Sequence, residues 1–418
     1  MKNKEIFDKA YERLRELYLG YSHSLDVRLL NRFYQEKMIL EESELYLRYL
    51  EFIGRMKNKA ESIGEHVSAR GTAGASLIAF LLGATDVNPL PRHEYCPNCR
   101  RIHFTGEGVP YGGLATKCSC DSEMIIDGFD IPFESVLKSV EREHITLGVS
   151  EAFFDNAKRM IYDEMWDKAI VTLRNEEKST TWFCFLDREE NDNGEYALDG
   201  NSELFSECPR ITLMPLAILD RFKELEVATG FKMGDVGRFE SDFVFPFMMD
   251  GAFDGIFNLD NVFVRDVLAT TSPRSYDDIF KIIGFAHSTG VWRENGEILF
   301  DDRKMSLREI PAYREELYGM ICEKLRKKGM YETGFAYEVT EKARRGYYNS
   351  KGGVDEDTEL CLLDIGFDSD FIFLLERVEY MFTKAHGALY LREAIALMFY
   401  KFNFSKEFNE IILAKQKT

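Results

Sequence analysis

Apolar positions in residues 1–66 recur at helical spacing, as at Leu14, Leu17 and Tyr18 and again at Leu45, Leu47 and Leu50. Glu, Arg and Tyr fill the intervals, and Gly and Pro are sparse, so this stretch predicts an N-terminal helical segment. Near residue 70 the texture changes to small residues, ARGTAGASLIAFLLGATD, and then to a Pro-bounded turn, NPLPRH. Residues 93–125 are rich in Cys and Gly and too irregular for a long helix. From 130 to about 230, short apolar runs such as WFCFL mix with helical stretches such as FFDNAKRMIYDEMWDKAIVTL. A polar loop, DREENDNGEYALDGNSE, follows WFCFL. This half reads as α+β. Residues 260–418 are mostly helical, through FVRDVLATT, YDDIFKIIGF, AYREELYGMICEKLRKKG, FAYEVTEKARRGYY, DFIFLLERVEYMF and LREAIALMFYKF, and close on a frayed KQKT tail. There is no internal repeat. The expected organisation is a helical segment over 1–66, an α+β domain over 67–230 with an insert at 93–125, and a helical domain over 231–418.

With 418 residues the chain is long enough for two or three domains. The longest apolar run, Leu77 to Leu82, is far short of a membrane span, and MKNKEIFDKAYERL has no apolar signal core. These features predict a cytoplasmic protein with no membrane partner. A net charge of −19 opposes simple nucleic-acid binding by the whole surface, yet permits a local basic groove. Two basic runs stand out, Arg326-Lys327-Lys328 and Arg344-Arg345, the second followed by Tyr347 and Tyr348. They read first as solvated helix faces and second as contacts for single-stranded bases.

Four of the eight cysteines fall between 96 and 120, as Cys96-Pro-Asn-Cys99 and Cys118-Ser-Cys120. The first pair has the form of a zinc knuckle, in which a turn points two thiolates at one ion. Four thiolates make a closed, structural Zn²⁺ site with no position for a reacting water. His93 and His103 are nearby and can replace a ligand; four free thiols are the plainer alternative. Ahead of this insert, Arg70-Gly71-Thr72-Ala73-Gly74-Ala75-Ser76 precedes an apolar helical stretch. Glycines that admit backbone N–H groups, a helix start, a fixed Arg and two hydroxyls together suit a triphosphate. Taken alone, the small residues read first as close helix packing and second as such a cradle.

The stretch HVSARGTAGASLIAFLLGATDVNPLPRHEYCPNC, the second cysteine pair and DGFDIPFESVL follow in order. They resemble the PolC-type bacterial DNA polymerase III alpha subunit, with its EVNPLPPHYVCPNC and DGHDIPFE. Ile283–Trp292, IGFAHSTGVW, is similar to the family's SGLSHGTDVW, and Tyr380–Tyr390, YMFTKAHGALY, to YMFPKAHAAAY. The resemblance implies a nucleotidyltransferase-like palm with a zinc-knuckle insert, followed by a helical fingers domain. It also implies a nucleotide site formed by Arg70, Gly71, Thr72, Gly74 and Ser76 with His287, Lys384 and His386.

Polymerases of this family transfer a nucleotidyl group with two divalent ions held by three acids, since Mg²⁺ demands oxygen ligands. Counting from Asp130-Ile131-Pro132-Phe133-Glu134, the family's first two acids fall on Thr146 and Gly148; its third, matched through Ile211-Thr212-Leu213-Met214-Pro215 and a following helix that reaches Thr229-Gly230, falls on Thr212. Glu141, Glu143 and Glu151 flank the first pair. Asp250, Asp254 and Asp260 lie in an irregular run that reads as a solvated loop. The chain also has no room for the family's PHP domain, exonuclease and helix-hairpin-helix. Three readings follow: a catalytically inactive homologue that binds a deoxynucleotide, DNA or a replisome protein; an active polymerase or nucleotidyltransferase with relocated acids and Mg²⁺; and a structural or interaction protein on a recycled fold.

Overall fold

The computed structural model describes residues 3–20, 24–105, 116–175, 180–187, 208–236 and 253–414. Asp250, the KQKT tail and the polar loop after Asp187 lie outside the described residues, apart from the loop's first member. The chain divides into two compact units, Met1–Glu107 with Ala115–Val236 and Asn403–Thr418, and Gly108–Leu114 with Gly237–Phe402.

In the first unit, α1 (Asn3–Tyr18) buries Ile6, Phe7, Ala10, Leu14 and Tyr18, one stripe at helical spacing. The Asp26 carboxylate accepts the Arg28 N–H at 2.8 Å and starts α2 (Val27–Leu40). α3 (Glu44–Glu61) is buried on most of its circumference, which makes it the central helix. Glu51 in its middle is held by Lys9 at 3.0 Å and Arg55 at 2.7 Å. These helices share one unit with the sheet that follows.

That sheet has five strands in the order β1-β5-β8-β7-β6. β1 (Val67–Arg70) runs antiparallel to β5 (His144–Val149), and β5 parallel to β8 (Arg210–Pro215). β7 (Thr180–Asp187) pairs antiparallel with β8 and with β6 (Lys168–Asn175). Strand alternation sorts the two faces. Val67, Ala69, Ile145, Leu147, Val149, Ile211, Leu213, Phe183 and Phe185 form the buried face. α3 and α6 (Phe154–Glu164) cover it: Tyr49 meets Phe185 and Tyr162 meets Phe183, each at 5.7 Å between ring centroids. Arg48 of α3 ties down Glu164 of α6 at 3.0 Å. The run FFDNAKRMIYDEMWDKAIVTL is thus helical only to Glu164; its β-branched end becomes β6 because pairing with β7 outweighs helical spacing. Asn403–Thr418 rejoins this unit, where Phe408 and Ile412 are buried on the side of the helix Ala217–Thr229.

The second unit is helical at the expected places: Val262–Thr271, Tyr276–His287, Arg314–Lys327, Gly334–Ala343, Ser369–Arg377 and Lys384–Asn403. The expected run DFIFLLERVEYMF stops short, at Arg377. Beyond it Tyr380 exchanges two backbone hydrogen bonds with Thr289, at 2.9 and 3.0 Å, so the chain is extended there. Tyr313, fully buried, lies between Gly284 and Gly387 and donates its hydroxyl to Phe280 O at 2.6 Å. A Cβ on Gly284 or Gly387 would come within 2.8 or 2.6 Å of the tyrosine Cζ. Both glycines leave room for that ring.

Candidate functional site

The face of the sheet opposite α3 and α6 is polar. Strand register places Arg70, Thr146, Thr212 and Trp182 in one row across β1, β5, β8 and β7. Gly148 lies two residues along on the same face, between Ser68 and Met214. Thr146, Gly148 and Thr212 therefore lie together, on two adjacent strands. What they present is two hydroxyls and a hydrogen atom. A Cβ on Gly148 would meet Arg70 Nε at 2.7 Å and Leu216 Cδ1 at 2.6 Å, so the Arg70 side chain fills the space an acid at 148 would need. His144 and Arg210 form the next row on the same face, 3.5 Å apart. Burial, then Arg210 and Arg142, lower the His144 pKa to about 4, so the ring is neutral at pH 7. Among the described residues of these four strands, none on this face is Asp or Glu.

Nearby carboxylates have other duties. Glu141 and Glu151 are exposed beyond the strand ends. Glu65 accepts Ser150 Oγ at 2.7 Å and pairs with Lys223. In the second unit, Asp254 and Asp260 share Arg265 at 2.6 Å each, while Asp254 and Arg265 stay largely exposed.

The small-residue loop departs from its expected form at Ser76. Gly71–Ala75 is a 3₁₀ turn, and the helix after it, α4 (Leu77–Leu81), is only five residues long. Its N-terminus already holds an anion, the fully buried Glu36 of α2. The Glu36 carboxylate accepts Ser76 Oγ at 2.8 Å, Leu77 N at 2.8 Å and Ile78 N at 3.0 Å. Arg32 holds Glu36 at 2.5 Å and reaches the carbonyls of Ala75 and Ile131. Ser76 and these amides therefore serve an internal carboxylate where a triphosphate was expected. Thr72 bonds Ser139 at 2.7 Å, and Gly74 is buried.

The cysteine cluster forms as spaced. All four sulfurs lie within 4.8 Å of one another, with Cys96–Cys120 at 3.5 Å and Cys99–Cys118 at 3.3 Å. Tetrahedral zinc with thiolates at about 2.3 Å requires sulfurs about 3.8 Å apart, so the donor set fits zinc. The knuckle closes through Arg100 N to Cys96 O and Cys96 N to Arg101 O, both 2.9 Å, with Cys99 N donating to Cys96 Sγ at 3.3 Å. The Ser122 hydroxyl, then its backbone, lower Cys120 to about 6, toward the ligating thiolate. Among the described residues this is the only group of three or more His, Cys, Asp or Glu side chains placed to share an ion.

His93 and His103 are not in that set. His103 is exposed on β3 (Ile102–Phe104), next to β2 (His93–Tyr95), whose other neighbour is β4 (Ile125–Asp127). His93 is buried, with Pro91 O at 2.8 Å and Tyr18 Oη at 3.3 Å. Asn88 donates to Tyr18 at 2.9 Å and to Asp127 at 2.7 Å. Burial raises the Tyr18 pKa and lowers that of His93, so both are neutral near pH 7. This network docks the insert onto α1. Its residues in NPLPRH and DGFD were visible in the sequence; Tyr18 and Glu36 carried no local signal.

Residues 4–146 match the family model described as "Bacterial DNA polymerase III alpha NTPase domain". "DNA polymerase III PolC-type" of Thermotoga petrophila is 24% identical, over 84% of this chain and 30% of that protein. The same enzyme of Clostridium perfringens is 23% identical over 94% and 32%, and that of Caldanaerobacter subterraneus subsp. tengcongensis 24% over 96% and 34%. The chain is similar to PolC-type DNA polymerase III along most of its length. It spans about a third of the length of these relatives.

The two remaining PolC-like stretches meet within the second unit. His287, Phe382, His386 and Tyr390 form an aromatic cluster, with His287–Phe382 and His287–Tyr390 centroids at 4.9 Å and His386–Tyr390 at 4.5 Å. His287 Nδ1 donates to Ile283 O at 2.9 Å, and burial lowers its pKa. Lys384 begins the last long helix. There the buried Glu315 accepts Lys384 N at 2.7 Å and Thr383 Oγ1 at 2.9 Å, the same device as Glu36 at α4. His287, Lys384 and His386 thus share one unit, while the Arg70 loop belongs to the other. The basic runs carry neighbouring acids: Arg344 and Arg345 bind Glu341, and Lys327 binds Glu323 at 2.5 Å.

Proposed function

We propose that this chain is a PolC-related protein without nucleotidyl transfer, which acts by binding a deoxynucleotide, DNA or a component of the replication machinery. On this reading the five-stranded sheet is a remnant palm and the helical unit a fingers domain, with the four-cysteine zinc site purely structural. One observation carries it. Where the family is expected to hold two metal ions, the sheet presents Thr146, Gly148 and Thr212, with Arg70 lying over Gly148. A divalent ion about 4 Å from a guanidinium is repelled by roughly 8 kcal/mol at an effective dielectric near 20. Without carboxylate oxygens to offset that term, Mg²⁺ has no reason to settle there. Relocated acids would have to gather beside the Arg70 loop, and the one group of side chains placed to share an ion among the described residues, the cysteine quartet, contains no carboxylate.

Incubation with primed template, deoxynucleotides and Mg²⁺ or Mn²⁺ is expected to give no extension. Metal-dependent incorporation would overturn the reading. A thermal-shift titration with deoxynucleoside triphosphates, repeated on Arg70→Ala, separates its branches. Stabilisation that disappears with Arg70 supports a nucleotide pocket on the sheet. No stabilisation of the native chain points instead to a protein partner.

A further inference from the structure

A second polar concavity lies where the end of α1 meets the cysteine knuckle. A cavity of about 330 Å³ is lined there by Tyr18, Gly20, Ser24, Asp26, Arg100 and Arg101. Its volume is at the lower end for a pocket that takes a small ligand such as one nucleotide. Arg100 and Arg101 are exposed, and neither forms an ion pair among the described residues. The CPNC turn positions them, with Arg100 in the left-handed region at φ 60. The single carboxylate of the lining, Asp26, is already neutralised: Arg28 donates to it through Nε at 2.9 Å and NH2 at 2.7 Å. The Arg28 guanidinium also sits 3.9 Å from the centre of the Phe104 ring. It is therefore a planar cation held by two partners, and its side chain is still 56% exposed. With Asp26 paired to Arg28, Arg100 and Arg101 are left as the charges of the described lining that form no ion pair.

We propose that this cleft binds single-stranded nucleic acid, with Arg100 and Arg101 on backbone phosphates and the fixed plane of Arg28 beneath a base. Exposed phosphates favour unpaired guanidinium groups, and unstacked bases accept any flat partner. A duplex offers no free base to Arg28. The competing role for Arg100 and Arg101 is to balance the negative charge of a zinc tetrathiolate, and the test separates the two.

The zinc-loaded full chain is titrated with a short fluorescein-labelled oligo-thymidylate by anisotropy, across a salt series. Arg100→Ala/Arg101→Ala is expected to weaken binding by on the order of tenfold at low salt and to flatten the log–log salt slope by about 1.4, the loss of two single-strand contacts. Arg28→Ala combined with Asp26→Asn, which removes the flat cation without freeing a carboxylate, is expected to weaken binding with little change in slope. An arginine-pair variant that keeps its zinc and binds like the native chain overturns the proposal. So does a native chain that binds inorganic phosphate or thymidine monophosphate through these arginines but not the oligonucleotide. If the arginine-pair variant loses zinc, the Asp26→Asn/Arg28→Ala variant decides, because both residues stand outside the knuckle; unchanged affinity there overturns the proposal. Triphosphate binding through Arg70 is unaffected by any of these changes, so the two readings fail separately.

Discussion

Glu36 shows how much one buried side chain can decide. Its carboxylate is fully buried, joined to Arg32, and accepts three donors at the start of α4. A charge so placed persists only because every oxygen is satisfied. Glu36→Ala is expected to cost about 3–5 kcal/mol in urea denaturation, since Arg32 and the α4 amides lose their partner together. Glu36→Gln should cost clearly less, because its amide oxygen still accepts. Equal losses for the two would show that the charge is unimportant. Gly148 makes the opposite point: what counts is the missing Cβ, whose place Arg70 and Leu216 occupy.

At the scale of elements, the cysteine insert is a three-stranded sheet too small to bury a core of its own. Two things hold it, the four sulfurs and the Tyr18–Asn88–Asp127–His93 network on α1. Metal binding in such a module is folding free energy. Chelation, or Cys118→Ser, is therefore expected to speed amide hydrogen exchange over β2–β4 while β5 and β8 stay protected. Unchanged exchange in β2–β4 after proven zinc loss would show that the α1 network suffices. These elements were largely legible beforehand: the CPNC and CSC spacings announced the site, and the helices of the second unit follow apolar periodicity. The partners of Ser76 and His93 were not, because Glu36 and Tyr18 lie 40 and 75 residues away along the chain.

For the whole molecule, the titration of buried histidines contributes to how stability responds to acid. His144 is held down to about 4 by burial and two arginines, and His93 is lowered by burial, against an ordinary value of 6.5. Both bind protons more readily in the unfolded chain. Between pH 6.5 and about 4 the unfolded state therefore takes up the extra protons, and stability falls as pH falls through that window. Above it the two groups contribute no slope. The His144 shift amounts to about 3 kcal/mol when fully expressed. The urea midpoint should drop from pH 7 to pH 4.5, and His144→Gln should remove part of that drop. A variant with the native pH profile would exclude His144 as its source.

The sequence by itself determined the mixed α+β character, the helical second half, the cysteine quartet and the residue types Thr, Gly and Thr at 146, 148 and 212. Each is a matter of periodicity, spacing or residue type, which a linear chain displays. Tertiary structure alone decided that Thr146, Gly148 and Thr212 lie together on one polar face, that Arg70 fills the space above Gly148, and that Glu36 occupies the anion site at α4. Those facts depend on strand register and on contacts between distant segments. Local sequence does not encode such contacts, because a side chain's partner is chosen by packing.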